Sequence, residues 1–286
     1  MEKITFKNLK QQKVFDAILE FRPTLNFSML KTSLRKKDIK INGKKITDNI
    51  VINSGDIIEM YLKDKKQKTI PIIFEDDNIL LAFKPQGMET TKKDKTFAQS
   101  DCMEDVINFG ACHRLDKNTE GIVVFAKNKI SENILLQGFK NHDIKKIYSA
   151  VVFGKINKNG EKFVDFLVKN NNIVKIFDNH QQNSQIAKLS YIVKKQIDEL
   201  FEIEVDLETG RTHQIRAQLS HHGIFVLGDE KYGEKFINKK YHKTKQVLCA
   251  KKIIFENLSK PLDYLNGKVF EVLPTFDIEL IGKNYK

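Results

Sequence analysis

Between Ala111 and Lys127 a polar string holding His113, Arg114, Asp116, Thr119 and Gly121 runs straight into an apolar, β-branched and aromatic stretch, Ile122 to Ala126. That is the pattern of a loop feeding a buried strand. An aspartate in such a loop is most often a turn residue, its side chain bonding to nearby backbone amides. Two features point Asp116 towards chemistry instead. In Arg114-Leu115-Asp116 the alternation of an extended segment puts both polar side chains on one side and turns Leu115 inward. Arginine usage is the second: of 49 lysines and arginines only five are arginine, Arg22, Arg35, Arg114, Arg211 and Arg216. A chain that defaults to lysine keeps arginine where a planar fork must meet a phosphate, a carboxylate or a base edge. Three of the five fall in two short segments, 111–121 and 209–216.

The string His113-Arg-Leu-Asp-Lys-Asn-Thr-Glu-Gly121 resembles the His-Arg-Leu-Asp-x-x-Thr-Ser-Gly signature of the RluA-like pseudouridine synthases, with Glu120 standing where that family usually has Ser. That position is not the nucleophile, so the departure leaves the chemistry intact. Lys146-Ile-Tyr148, with Ala150 and Gly154 after it, resembles the second motif of the family, whose Tyr lies against the target base. Thr209-Gly-Arg-Thr-His-Gln-Ile-Arg216, followed by Gly228-Asp229 and Tyr232-Gly233, is similar to the third. Cys249 stands where the family often has His, a minor departure. The resemblance covers about residues 10–275.

These motifs need elements to hold them. Lys145 to Gly154 reads as a strand bearing Tyr148; a strand tyrosine is otherwise most often a packing residue. Leu200 to Leu207 alternates strictly, Phe201, Ile203, Val205 and Leu207 against acidic residues, and is the clearest strand of the chain. After the Thr209-Gly210 turn, a helix is predicted from Arg211 to Ser220, stopping at Gly223. Ser131 is read as the cap of a helix with Ile134, Leu135 and Phe139 inward. Ile72 to Gly87 reads as a β-hairpin turning at Asp76 to Asn78, then a Lys-Pro-x-Gly turn. Strands are expected near 162–168 and 186–194, and closing strands at Val247 to Phe255 and Val269 to Pro274; residues 88–109 read as a loop with room for one helix.

Upstream, Val14, Ala17, Ile18 and Phe21 recur at helical spacing before Pro23, and a second helix is expected from about Ser28, with Met29, Leu30 and Leu34 inward. An alternating strand from Asp38 closes at Asn42-Gly43, a strong hairpin signal, and Ser54-Gly55-Asp56 turns the chain into Ile57 to Leu62. Two small helices and a hairpin, with Arg35, Lys36, Lys37, Lys40, Lys44 and Lys45 near the turn, resemble the small RNA-binding domain of a ribosomal protein of the small subunit. Most charge runs are solvated faces. Here the charges sit on one helix-to-hairpin edge, which favours RNA. The domains are therefore set at 1–64 for the RNA-binding domain, 65–70 for a charged linker and 71–286 for the catalytic domain.

Composition agrees with this division. The chain of 286 residues is 41% hydrophobic, enough for a packed core and too much for wholesale disorder. Neither an apolar run of ~20 residues nor a signal-peptide block occurs, so no membrane partner is expected. Cys102, Cys112 and Cys249 show no Cys-x-x-Cys spacing, which argues against a zinc knuckle or disulfide framework and suits a reducing cytoplasm. Of the net charge of +12, residues 1–68 carry +8. A uniform compositional bias would not concentrate charge this way; a polyanion-binding module would.

Other chemistries fit less well. His213, His221 and His222 lack the i, i+4 spacing of helical metal ligands and are read as surface or capping histidines, with no metal. No Gly-x-Ser-x-Gly elbow and no Gly-rich phosphate loop is present. A non-enzymatic RNA-binding protein is opposed by the intact trio Asp116, Tyr148 and Arg211.

The resemblance implies a mixed, mainly antiparallel sheet with flanking helices and a central cleft, an α+β fold, with the small domain appended. It implies isomerisation of uridine to pseudouridine within RNA, ribosomal RNA of the large subunit being favoured and transfer RNA the alternative, by a cytoplasmic monomer with no cofactor. Aspartates of ordinary pKa, ~3.9, are ionised at pH 7. Asp116 would act as nucleophile at the sugar or as a base removing a proton from it. Arg211 would pair with Asp116 and orient it, with Arg216 the next candidate for that partnership, Tyr148 would stack on the uracil or relay a proton, and Arg114 would fill the space left by a flipped base or clamp the flanking phosphate.

Overall fold

The structure, a computed structural model, describes residues 2–23, 25, 27–62, 69–91, 102–170 and 173–283. Among these the chain divides into two compact units, with the boundary between Thr69 and Ile70. Of the expected charged linker, residues 65–68 lie outside the described residues, and Thr69 and Ile70 fall on either side of the boundary.

The first unit runs β1 (Glu2–Lys7), β2 (Gln12–Lys13), α1 (Val14–Phe21), α2 (Phe27–Arg35), β3 (Ile39–Ile41), β4 (Lys44–Lys45), β5 (Val51–Ile52) and β6 (Ile57–Leu62). Its main sheet has the order β1-β6-β3-β4. Asn42 and Gly43 both take positive φ, 49° and 78°, as the tight hairpin between β3 and β4 requires. Val14, Ile18 and Leu30 from the helices bury against Ile39, Ile58 and Met60 from the strands, giving this unit its own core. Strand β1 was not anticipated, although Ile4 and Phe6 alternate with Lys3, Thr5 and Lys7.

The second unit continues β7 (Ile72–Glu75), β8 (Ile79–Lys84), α3 (Met103–Ile107), β9 (Gly110–Ala111), β10 (Glu120–Ala126), α4 (Lys129–Asn141), β11 (Ile144–Gly154), β12 (Glu161–Asn170), β13 (Ile173–Phe177), β14 (Gln185–Ile197), β15 (Leu200–Leu207), α5 (Gln214–His221), β16 (Ile224–Val226), α6 (Lys235–Lys240), β17 (Leu248–Phe255), β18 (Val269–Glu271) and α7 (Ile278–Lys283). The sheet order is β13-β12-β14-β15-β11-β17-β10-β8-β7, and β9, β16 and β18 pair onto it. Among the described residues β10 with β17 is the one parallel pair, so the sheet is mixed and mainly antiparallel. One face buries Tyr148, Val205, Leu189 and Phe163 together with Ile215 and Leu219 of α5. On the opposite face Leu135 of α4 packs with Ile122, Val124 and Phe255.

Three expectations need correction. The cap of α4 is Asn128, whose side chain accepts from Ser131 N at 2.9 Å; Ser131 is itself buried inside the first turn. Strand β13 and helix α7 add elements that the sequence pattern did not separate. The third-motif helix begins at Gln214, three residues later than predicted, because the preceding turn runs through His213 at φ 53°.

Candidate active site

Asp116 lies on the loop from β9 to β10, and the backbone of that loop is held by hydrogen bonds from the end of β8 and the segment after it. Thr90 Oγ1 accepts from Leu115 N at 3.1 Å and donates to Leu115 O at 3.2 Å. Thr119 N donates to Asp116 O at 3.0 Å, and Gly87 N to Lys117 O at 2.8 Å. Lys84 is fully buried, and its Nζ donates to Met88 O at 2.7 Å, Lys117 O at 3.0 Å and Pro85 O at 3.2 Å. Burial pushes its pKa down to about 8, against the pull of Glu89, Asp116 and Glu120. One ammonium thus ties the residue next to Asp116 to the Lys-Pro-x-Gly turn.

The motif's remaining residues brace the same loop. His113 Nε2 accepts from Val124 N at 3.1 Å, and burial pushes this imidazole down to about 3, so it stays neutral. Gln246 Nε2 donates to Thr119 Oγ1 at 2.6 Å. Gly121 has φ 119°, and a Cβ there would stand 2.3 Å from Ala250 O. Only glycine lets β10 and β17 approach in parallel at this point. Glu120, buried, accepts from Thr275 N at 2.8 Å and Thr275 Oγ1 at 2.6 Å, fastening the segment before α7 to the start of β10.

Arg216, not Arg211, holds Asp116. Its Nη1 donates to Asp116 Oδ2 at 2.8 Å, while Nε and Nη2 grip Asp229 at 2.7 and 2.8 Å. The cause is the late start of α5. Arg211 falls in the turn before the helix and is exposed, its Nε 3.5 Å from Ile186 O, whereas Arg216 lies on the buried side beside Ile215 and Leu219. Burial works against the Arg216 charge, but Asp229 and then Asp116 outweigh it and hold the guanidinium firmly protonated. Asp229 is buried too, yet Arg216 and the amides of Lys231 and Tyr232 bring its carboxyl below the usual range.

Asp116, Arg211 and Arg216 line a cleft of about 570 Å³ in the second unit. Asp116, Tyr148, His213 and Arg216 stand in its wall with Leu115, Leu207 and Leu248, and Arg114, Lys140, Lys146 and Arg211 are the other cations around it. Tyr148 is buried, which pushes its phenol above the ordinary value, as does the nearby Asp116 charge. His213 is no surface histidine: Nε2 lies 3.9 Å from Asp116 Oδ1 and Nδ1 is 3.0 Å from Tyr232 Oη. Burial lowers its pKa while Asp116 raises it, and the net direction is down.

Of the residues singled out from sequence, Asp116, Tyr148, Arg114 and Arg211 share this cleft. Arg35, Lys36, Lys37, Lys44 and Lys45 are exposed on the first unit, and Lys40 is half-buried with Nζ 5.3 Å from the Tyr61 ring centre. Sequence reasoning ranked Arg216 only second, behind Arg211, as partner of Asp116, and missed the place of His213 and the burial of Lys84. For Arg216 a signal was available: it follows Ile215 and precedes Leu219 on the apolar side of the helix, where an unpaired charge would be costly. His221 and His222 pair with Asp178 and Asp165 at 2.8 and 2.9 Å. Among the described residues Asp165, Asp178 and His221 could offer three ligand atoms to a cation; here they are engaged as hydrogen-bonded pairs.

The second unit thus carries, on a mixed and mainly antiparallel sheet, an aspartate held by an arginine in a cationic cleft, and comparison with known proteins assigns the chain to a class of RNA-modifying isomerases. The family described as RNA pseudouridylate synthase matches residues 78–221. An uncharacterized RNA pseudouridine synthase of Mycoplasma capricolum is 33% identical, covering 93% of this chain and 95% of its own. The ribosomal large subunit pseudouridine synthase C of Rickettsia felis is 32% identical, over 75% of this chain and 79% of its own. The structure of human RNA pseudouridylate synthase domain containing 4 shares the fold, with a TM-score of 0.60 at 19% identity over 75% of this chain and 92% of that one. The chain belongs to the RNA pseudouridylate synthase family and is an RNA pseudouridine synthase, an isomerase.

Proposed function

We propose that the enzyme converts uridine to pseudouridine in large-subunit ribosomal RNA, with Asp116 as the group that acts on the sugar. The observation that carries this reading is the Asp116 carboxylate paired at 2.8 Å with Arg216 in a cleft that also holds Tyr148. The pairing fixes the direction of the carboxylate. The C1′–N1 bond breaks, the uracil turns, and C5 joins C1′; C5 gives up its proton and N1 gains one. The reaction is an isomerisation without net redox change, so its balance calls for no cofactor. Attack on the sugar and proton removal from it both fall to the same carboxylate.

A stacked base cannot reach such a cleft, so the target uridine is flipped out, at a cost of a few kcal/mol. Exposed Arg114, two residues from Asp116, fills the vacated space or clamps the flanking phosphate. Tyr148 stacks on the uracil or relays a proton. The first unit is an RNA-binding domain of the ribosomal small-subunit protein type, spanning residues 1–64 and followed by a linker. Its Arg35, Lys36, Lys37, Lys40, Lys44 and Lys45 supply a sequence-independent grip on phosphates. The ribosomal assignment rests on the name of the Rickettsia felis relative and on the basic appended unit. The enzyme works in the cytoplasm as a monomer. Pseudouridine mapping of total RNA from cells with and without the gene tests the proposal: loss of a site in large-subunit ribosomal RNA is expected, and loss confined to transfer RNA overturns the ribosomal assignment.

A further inference from the structure

The cleft holds more positive charge than the reaction centre uses. Five of its lining side chains, Arg114, Lys140, Lys146, Arg211 and Arg216, are cationic, and one, Asp116, is a carboxylate. Arg216 is committed to Asp116 and Asp229. Arg114, Lys140 and Arg211 are exposed, and water solvates such groups at little cost. Lys146 differs from all of these. It is 9% exposed, yet its ammonium has no hydrogen bond or ion pair with another described residue. No fully buried side-chain nitrogen or oxygen among the described residues lacks a partner, so Lys146 Nζ must open onto the cleft it lines.

The neighbours of Lys146 explain why it is held there. It is on β11 two residues before Tyr148, so the alternation of a strand sends both side chains to the same face. Its Nζ lies 5.6 Å from the centre of the Phe139 ring, and a Cβ on Gly210 would sit 3.4 Å from it. The ring attracts a cation. Gly210, having no side chain, leaves the ammonium uncovered. Asp206 is close enough to be felt but forms no ion pair with it. Burial lowers the pKa of Lys146, so the charged form is under-compensated. An anion entering the cleft would satisfy it.

We propose that Lys146 anchors one phosphate of the RNA next to the flipped uridine, with the Phe139 ring and the bare backbone at Gly210 forming the walls of that subsite. This rests on the pseudouridine-forming reading above and adds a substrate contact to it. Tyr148 and Lys146 then divide the nucleotide between them, the tyrosine at the base and the lysine at an adjoining phosphate. A backbone contact at this depth selects an RNA strand rather than a free nucleoside and sets how far the base enters.

The probe is a nine-nucleotide RNA with one central uridine among adenosines, made with ordinary linkages or with a neutral methylphosphonate on the 5′ or the 3′ side of that uridine. Binding is measured for the whole enzyme and for Lys146→Met, which keeps an unbranched side chain as far as Cε and removes the ammonium and its buried charge. The unaltered enzyme is expected to lose at least about fivefold in affinity when one of the two linkages is neutralised, as a single charge-assisted contact requires. Lys146→Met should bind the ordinary RNA as weakly as the unaltered enzyme binds the neutralised one, and should lose nothing further on neutralisation. Unchanged affinity of Lys146→Met, or the same discrimination in both proteins, overturns the anchor. Failure of the parent reading shows elsewhere, as absence of pseudouridine after incubating the unaltered enzyme with ribosomal RNA, and the linkage test reads binding whether or not product forms.

Discussion

The Arg216 guanidinium serves two carboxylates at once, Asp116 through Nη1 at 2.8 Å and Asp229 through Nε and Nη2 at 2.7 and 2.8 Å. Asp229 is the buried anchor and Asp116 the end that faces the cleft. Asp229 is itself fixed, its Oδ1 accepting from Lys231 N at 2.8 Å and Tyr232 N at 3.1 Å. The direction of Asp116 is thereby set by a chain of contacts that ends in backbone.

A lysine at 216 could keep one contact and not three. Arg216→Lys should lower the single-turnover rate at least tenfold, ~1.4 kcal/mol of barrier, and should cost up to ~3 kcal/mol of stability by leaving Asp229 poorly paired. Arg211→Lys is the matched control: exposed and making no bond to Asp116, it should leave the rate within about twofold and change RNA affinity at most modestly. Rapid-quench kinetics with both variants checks the pair. The opposite ranking would return the partnership to Arg211.

Asp116→Asn should abolish isomerisation and leave the fold intact. The side chain is 26% exposed and holds Arg216 by one of that residue's three short bonds, so little packing is disturbed. Tritium release from C5-labelled uridine in RNA reads the activity, and thermal melting reads the fold. Residual turnover within about tenfold of the parent, ~1.4 kcal/mol, would remove Asp116 from the chemistry.

Much of this site is legible in the letters, and the part that is not has a physical cause. Asp116, Tyr148 and the strands beneath them announce themselves through local pattern, because a buried strand must be apolar and a motif is contiguous. The partner of Asp116 depends on where α5 begins, and that is set by Thr209 and Gln214. Thr209 Oγ1 donates to Gln214 Oε1 at 2.8 Å and accepts from Lys188 N, also at 2.8 Å, holding the turn open past Arg211. Such side-chain closure over a turn carries no periodic signal. Lys84 is harder still: a lysine before a proline reads as exposed, and only the fold brings three carbonyl oxygens around it.

Lys84 makes a pH prediction with a definite sign. Its pKa is about 8 in the fold and near 10.4 in an unfolded chain, so between those values the unfolded state binds the extra proton and stability rises with pH. Below about pH 8 both states are charged and the full burial cost is present. Lys84→Met lacks this titration. The stability of the parent relative to Lys84→Met should therefore increase from pH 8 towards 10, as read by urea denaturation, and a flat difference would mean that the ammonium is not desolvated. The variant also frees Lys117 O and Met88 O, so its turnover should fall although no side chain of the cleft has changed.

Removal of residues 1–69 tests the division of labour between the units. The first unit has a core of its own, built on Ile18, Leu30 and Ile58, so the second should remain folded without it, as circular dichroism would report. Exposed Arg35, Lys36, Lys37, Lys44 and Lys45 make no ion pair among the described residues and are available to phosphates. For every phosphate that the shortened enzyme no longer neutralises, the slope of log affinity against log salt should fall by ~0.7 to 0.9. Binding to ribosomal RNA should weaken most at low salt, where counterion release contributes most, while single-turnover chemistry on RNA already bound should persist, because every group around Asp116 lies in the second unit. Unchanged affinity together with an unchanged salt slope would make the basic edge a solvated surface and leave RNA recognition to the cleft alone.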